Sequence, residues 1–107
     1  MANPYSGEVE ITIDGKPYAL KLTLGALAGL EQSLAEGSLV DLVQRFEAGR
    51  FSARDILALL AAGLEGGGHS LSAEELAQAD IVAGPLGAAR VAAQLLARSF
   101  SLPRPEA

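Results

Sequence analysis

Apolar and polar side chains alternate along residues 8–13 and again along residues 18–23. Strict alternation is the period of a β-strand with one buried face. Asp14-Gly15 lies between the two runs, and this dipeptide suits a tight hairpin turn because both central residues need positive φ. The pattern therefore predicts an N-terminal β-hairpin.

The apolar faces of the two strands restrict the register of this hairpin. A two-residue loop pairs Ile11 with Tyr18, and a four-residue loop pairs Ile11 with Leu20; both keep apolar residues opposite each other. An odd loop would set Val9 against Lys21 and bury a charge. Pro17 has no N–H to donate, so it needs an outward-facing position or a place in the loop.

From residue 23 onward the apolar residues recur at intervals of three and four, which is the period of α-helices. Five helices are predicted, and each has a favourable residue near its start: Thr23, Ser38, Ser52, Ser72 and Pro85. The third is apolar on more than one face and is predicted to be the most central. The fourth is predicted to be short, acidic and peripheral, running from Glu74 to about Ile81.

The spacing also predicts which helix faces are buried. The first helix is expected to bury Leu24, Leu27, Leu30 and Leu34, and its Gly25 and Gly29 are expected to allow close packing against another element. The last helix is expected to bury Leu86, Ala89, Ala93, Leu96 and Phe100. Arg45 in the second helix is expected to face water. Together these patterns predict an α+β fold in a single domain, residues 1–107, with a hairpin over 8–24, about five packed α-helices over 24–100 and a flexible tail over 101–107.

Composition and charge narrow the classes of function. The 107 residues carry a net charge of −5 and form no basic patch, which argues against nucleic acid as a partner because phosphate neutralisation dominates that affinity. There is no cysteine, so a disulfide framework and a thiolate metal site are both excluded. No signal segment and no stretch long enough to span a bilayer is apparent. We therefore expect a cytoplasmic protein without a membrane partner.

No constellation of residues predicts catalysis. The run Gly66-Gly67-Gly68-His69 lacks the lysine of a phosphate-binding loop and is interpreted as a helix connection with a solvent-exposed histidine. Glu74 and Glu75 are explained by helix capping and solvation rather than by acid–base chemistry. We predict neither an enzyme nor a cofactor or metal site.

Two features are candidates for partner contact. The hairpin is expected to leave at least one strand edge unpaired, which can accept another strand. The last helix carries basic and aromatic residues near its end. The candidate partner-binding residues are Lys21, Thr23, Arg90, Gln94, Arg98 and Phe100. Self-association through these surfaces is possible.

Three segments carry a resemblance to a known family: GEVEITIDGKPYALKLTLGALAGLE, LVDLVQRFEAGRFSARDILALLAAGL and GPLGAARVAAQLLARSF. They resemble the small tail protein of gene transfer agents, which are phage-derived particles. This family is usually grouped with phage tail assembly chaperones and is sometimes described as a tail tube protein. The shared residues are a turn, helix caps and apolar stripes, so the resemblance brings no active-site residue with it.

The resemblance implies a non-enzymatic role in building a phage-like tail. Tail assembly chaperones are thought to coat the tape measure protein, keep its hydrophobic helices soluble and recruit tail tube subunits. The implied partners are therefore the tail tape measure protein and tail tube subunits. The alternative is a structural tail tube or tail completion subunit that stays in the particle, although a tube subunit is expected to have a larger sheet than one hairpin.

Overall fold

A hairpin and five helices make up residues 8–33 and 38–100, the part of the chain that the computed structural model describes. The strands are β1 (Val9–Ile13) and β2 (Lys16–Leu20). The helices are α1 (Leu24–Ser33), α2 (Leu39–Glu47), α3 (Ala53–Gly66), α4 (Ala73–Gln78) and α5 (Gly84–Phe100). The predicted α+β architecture, mostly helical after an N-terminal hairpin, is confirmed. The predicted tail over 101–107 lies outside the described residues.

The hairpin has the two-residue loop, one of the two registers that the apolar pattern allowed. Asp14 and Gly15 have φ angles of 51° and 81°, and Ile11 pairs with Tyr18. Pro17 pairs with Thr12, one position beyond the pair that closes the turn. Since hydrogen-bonded and non-hydrogen-bonded pairs alternate in an antiparallel ladder, the missing N–H of Pro17 faces away from β1.

Side-chain caps start the helices as predicted. Capping boxes begin α2, α3 and α4, and they are formed by Ser38 with Asp41, Ser52 with Asp55, and Ser72 with Glu75. At α1, the Thr23 hydroxyl accepts a hydrogen bond from the Ala26 N–H at 3.1 Å. These bonds satisfy backbone donors that the first turn of a helix leaves without a partner.

Helix α3 is the centre of the core, as its apolar pattern predicted. Leu59, Leu60 and Leu64 have no exposed surface, and α3 contacts β2, α1, α4 and α5. Its C-terminal end lies against the backbone of β2, where the Lys21 N–H donates to the Gly63 carbonyl at 2.9 Å. A Cβ atom on Gly66 would overlap the Lys21 carbonyl. Glycine is therefore required where this helix meets the strand.

The buried face of α1 differs from the prediction. Leu24 is 84% exposed, whereas Ala26 and Leu30 are buried and Leu27 is half-buried. A Cβ atom on Gly25 or Gly29 would meet nothing within 4 Å, so the predicted close packing of the two glycines is wrong. The preceding Leu22 is buried, and this short connection from β2 sets the rotation of the helix. Leu34 lies outside the described residues.

The buried face of α5 is also rotated from the prediction. Its buried residues are Gly87, Ala88, Ala92, Leu95 and Leu96. Leu86 is 70% exposed and Ala93 is exposed, so those two assignments are wrong. Helix α5 contacts both α3 and β1, and the Leu95 side chain on this face lies against Gly63 of α3. The side chain of Phe100 lies outside the described residues.

Helix α4 is shorter than predicted and ends at Gln78. The chain then leaves the helical conformation, because Ile81 forms an antiparallel bridge with Ile13 at the end of β1. Helix α4 is acidic and mostly exposed as predicted, although its Leu76 is buried.

Candidate partner-binding surface

The outer edge of β1 is occupied near the turn by the segment that follows α4. The Val82 N–H donates to the Thr12 carbonyl at 3.2 Å, and the Asp14 N–H donates to the Asp80 carbonyl at 2.8 Å. The Asp14 carboxylate accepts a hydrogen bond from the Asp80 N–H at 2.8 Å. An incoming strand would have to displace these bonds.

At the other end of β1, α5 reaches the backbone. The Arg98 guanidinium donates to the Glu8 carbonyl at 2.6 Å. The edge of β2 lies against α3, through the Lys21 bond to Gly63 and the close approach of Gly67 to the Ala19 carbonyl. The strand edges are therefore occupied at both ends of β1 and just after β2, and acceptance of another strand by the rest of the hairpin stays a prediction.

The candidate residues at the β2–α1 junction have structural roles. The backbone N–H of Lys21 binds α3, and the Lys21 side chain is half-buried. Thr23 is exposed and caps α1. Both residues therefore contribute to the junction itself.

The candidate residues on α5 have different positions. Arg90 and Gln94 are exposed and one helical turn apart, so their side chains are neighbours on the outer face of the helix. Arg98 holds the end of α5 to the start of the hairpin. The predicted contact residues thus lie in two separate places, the β2–α1 junction and α5. The Phe100 side chain lies outside the described part of the structure.

An ion pair that the sequence analysis did not identify joins α2 to α3. Arg45 Nη2 lies 2.9 Å from Asp55 Oδ1, and Arg45 Nε lies 3.1 Å from Asp55 Oδ2. Asp55 is buried and Arg45 is half-buried, so the expectation that Arg45 faces water is wrong. In the sequence, the feature that points to this ion pair is Asp55, a helix-capping acid that lies ten positions after Arg45.

Burial and hydrogen bonding act in opposite directions on Asp55. Burial alone would raise the pKa of the Asp55 carboxyl, because it disfavours the charged form. Hydrogen bonds from Arg45 and Ser52, together with the positive charge of Arg45, outweigh burial and hold the pKa below its ordinary value. Asp55 is therefore ionised at neutral pH.

A groove of about 680 Å³ runs between α1, α3 and the segment that leads into α4. Its walls are mostly apolar or small side chains: Gly29, Leu30, Leu57, Ala58, Ala61, Ala62, Leu71 and Ala73. Polar and charged residues complete the lining: Arg54, Glu65, His69, Ser70, Ser72 and Glu75. A volume of this size lies in the range of ligand-binding clefts, and its apolar lining suits a partner with large apolar side chains.

His69 forms part of this groove rather than a solvent-exposed loop. It is half-buried, and its ring meets the Tyr18 ring edge to face at a centroid distance of 4.9 Å. The contact joins the α3–α4 connection to the hairpin. The expectation that His69 is a solvent-exposed loop residue without a packing role is therefore wrong.

The acidic residues considered for catalysis are accounted for by the fold. The Glu75 carboxylate accepts the Ser72 N–H at 2.9 Å in its capping box, and Glu74 is exposed. Within residues 8–33 and 38–100, no group of three or more His, Cys, Asp or Glu side chains is placed to hold a metal ion. None of the helices in the same ranges is long and apolar enough to cross a membrane.

A groove of this kind and an exposed helix face are features of a protein-binding module. Comparison with protein-family models matches residues 6–102 to Phage_TAC_11, described as phage tail tube protein, GTA-gp10. The match covers most of the chain, so this protein belongs to that family of phage and gene transfer agent tail assembly chaperones. The family is non-enzymatic, as the sequence analysis predicted. Neither the curated proteins nor the solved structures contain a match to the chain.

Proposed function

We propose that this protein is a tail assembly chaperone that binds the tape measure protein in the cytoplasm and recruits tail tube subunits to it. The observation that carries the proposal is the family match over residues 6–102. The apolar groove beside α3 supports it, because a chaperone for hydrophobic helices needs an apolar surface that is available before the tail is complete. Arg90 and Gln94, exposed on α5, are proposed as further contact residues.

The acidic surface is compatible with this role. A net charge of −5 on 107 residues favours solubility and keeps copies of the free protein apart. Many copies bound along one extended partner would make that partner more soluble. Each copy would cover a short apolar segment of the tape measure protein and present a charged outer surface to water.

A second function is a structural tail tube or tail completion subunit that is retained in the particle. The family description, which names a tail tube protein, favours it. Against it, the described residues contain a single two-stranded sheet. A ring of tube subunits needs strands that pair from one subunit to the next, and the edges of this hairpin are occupied at several points.

Co-expression with the tape measure protein of the same gene cluster tests the proposal. The tape measure protein is produced alone, with this chain, and with an unrelated acidic protein of similar size. We expect the tape measure protein to become soluble only with this chain and to be recovered with it in a pull-down. A tape measure protein that stays insoluble, with no pull-down, would contradict the chaperone function.

Mass spectrometry of purified particles separates the two functions. A chaperone is released as the tube forms, so finished particles should contain the tape measure protein and the tube protein without this chain. Retention of this chain at a ring-like copy number would establish the structural function instead.

A further inference from the structure

The groove beside α3 carries charges that oppose the dipole of α3 itself. Arg54 is the second residue of the helix and Glu65 is the last but one. Anionic side chains stabilise the first turn of a helix and cationic ones the last turn, so both residues are placed unfavourably for α3. Both are exposed, both line the groove, and within the described ranges neither forms a salt bridge. Their positions are better explained by what the groove binds.

The residues of α3 that line the groove define its length and direction. Arg54, Ala58, Ala61 and Glu65 follow one another at intervals of four, three and four, which places them along one face of the helix. Glu65 follows Arg54 by eleven positions of helix, a rise of about 16 Å. The groove therefore accommodates about three turns of a second helix lying along α3.

Small side chains leave room for large ones from a partner. Ala58 and Ala61 face the groove from α3, and Gly29 faces it from α1. A Cβ atom on Gly29 would meet nothing within 4 Å, so there is open space beside α1 at this position. The opposite wall is formed by His69 and Leu71, both half-buried.

We propose that this groove binds an amphipathic α-helix of the tape measure protein, antiparallel to α3. This assignment rests on the proposed chaperone function, which supplies the partner. An antiparallel helix brings its positive N-terminal end to Glu65 and its negative C-terminal end to Arg54, so both charges become favourable on binding. The helix that fits best has large apolar side chains on the face that enters the groove.

A charge exchange tests the direction of this helix without changing the composition of the protein. The double variant Arg54→Glu with Glu65→Arg keeps the net charge and places both charges favourably for α3, so it should fold at least as well as the unchanged chain. The probe is the tape measure protein of the same cluster, purified in complex with the unchanged chain, and the affinity of each variant is measured by how well it displaces that chain. We expect the affinity to fall by about tenfold or more, because both ends of the bound helix then meet like charge.

The matched control exchanges two exposed charges outside the groove, Lys16→Glu with Glu47→Lys. This variant has the same composition as the test variant and should bind as the unchanged chain does. A second pair of variants tests occupancy of the groove: Ala61→Gln places a long polar side chain in it, and Ala48→Gln places the same side chain at the exposed C-terminal end of α2. Only Ala61→Gln should weaken binding.

The possible outcomes distinguish a wrong groove assignment from a wrong proposed function. If the unchanged chain binds the tape measure protein, and the charge exchange and Ala61→Gln bind equally well, the groove assignment is overturned and the chaperone function stands. If the unchanged chain does not bind the tape measure protein, both are overturned. If the charge exchange instead abolishes an association between copies of this chain, the occupant is a second copy, and the proposal is overturned in favour of a homo-oligomer.

Discussion

Arg45 and Asp55 form a two-pronged ion pair between α2 and α3, with nitrogen–oxygen distances of 2.9 and 3.1 Å. The same carboxylate accepts the Ser52 N–H at 3.0 Å and so completes the capping box of α3. One buried carboxylate therefore starts the central helix and also fixes the neighbouring helix to it. Such a residue is sensitive to substitution because Arg45 and the Ser52 N–H each lose a hydrogen bond when it is replaced.

Asp55→Asn is expected to lower the free energy of unfolding by about 2 kcal/mol, since it removes a charged, hydrogen-bonded partner from a mostly buried site. Asp41→Asn is the matched control, because Asp41 completes the capping box of α2 at an exposed position. Asp41→Asn should lower the free energy of unfolding by at most about 1 kcal/mol. Urea denaturation of the two variants measures the difference. Equal losses of unfolding free energy would show that the ion pair with Arg45 adds no stability beyond that of the helix cap.

The stability of the protein should depend on pH through the same residue. The folded-state pKa of Asp55 is lowered, so its ionised form stabilises the fold above the ordinary Asp pKa of 3.8. This stabilisation is lost as the pH falls through the lower, folded-state pKa. The gap in unfolding free energy between the unchanged chain and Asp55→Asn should therefore be largest near neutral pH and should narrow below about pH 4. A gap that widens on acidification would contradict the lowered pKa.

Leu60 and Leu86 provide a comparison between the core and the surface. Leu60 has no exposed surface and Leu86 is 70% exposed. Leu60→Ala should lower the free energy of unfolding by about 3 kcal/mol through lost apolar contacts and a cavity. Leu86→Ala should change it by about 0.5 kcal/mol or less. Thermal unfolding of both variants measures the effect, and a large loss for Leu86→Ala would place the buried face of α5 where the spacing first predicted it.

Local patterns in the sequence were sufficient to predict the strands and helices of this fold. Alternation and Asp14-Gly15 predicted the hairpin, and the serine caps predicted where α2, α3 and α4 begin. These features depend on residues a few positions apart. Long-range contacts were not predictable in the same way, and the bridge between Ile13 and Ile81 is the clearest example. Nothing in the local pattern around Ile81 identifies β1 as its partner.

The rotations of α1 and α5 were mispredicted for a related reason. Both helices are rich in Leu, Ala and Gly, so several faces are apolar enough to be buried, and the spacing alone does not choose among them. Tertiary contacts decide which face is buried: Leu22 just before α1 is buried, and α5 packs against α3 and β1. The groove was not predictable because its walls come from three separate segments. Only Arg54 and Glu65, placed against the helix dipole, gave a signal in the sequence.

Two glycines test whether the structure assigns close packing to the correct helix. A Cβ atom on Gly66 would overlap the Lys21 carbonyl, whereas one on Gly25 would meet nothing within 4 Å. Gly66→Ala should therefore force α3 away from β2 and lower the free energy of unfolding by about 2 kcal/mol or more. Gly25→Ala should raise it by about 0.5 to 1 kcal/mol, since alanine in a helix loses less backbone entropy on folding than glycine does. Urea denaturation of both variants measures the two shifts. A destabilising Gly25→Ala with a neutral Gly66→Ala would show that α1, rather than the end of α3, makes the close contact.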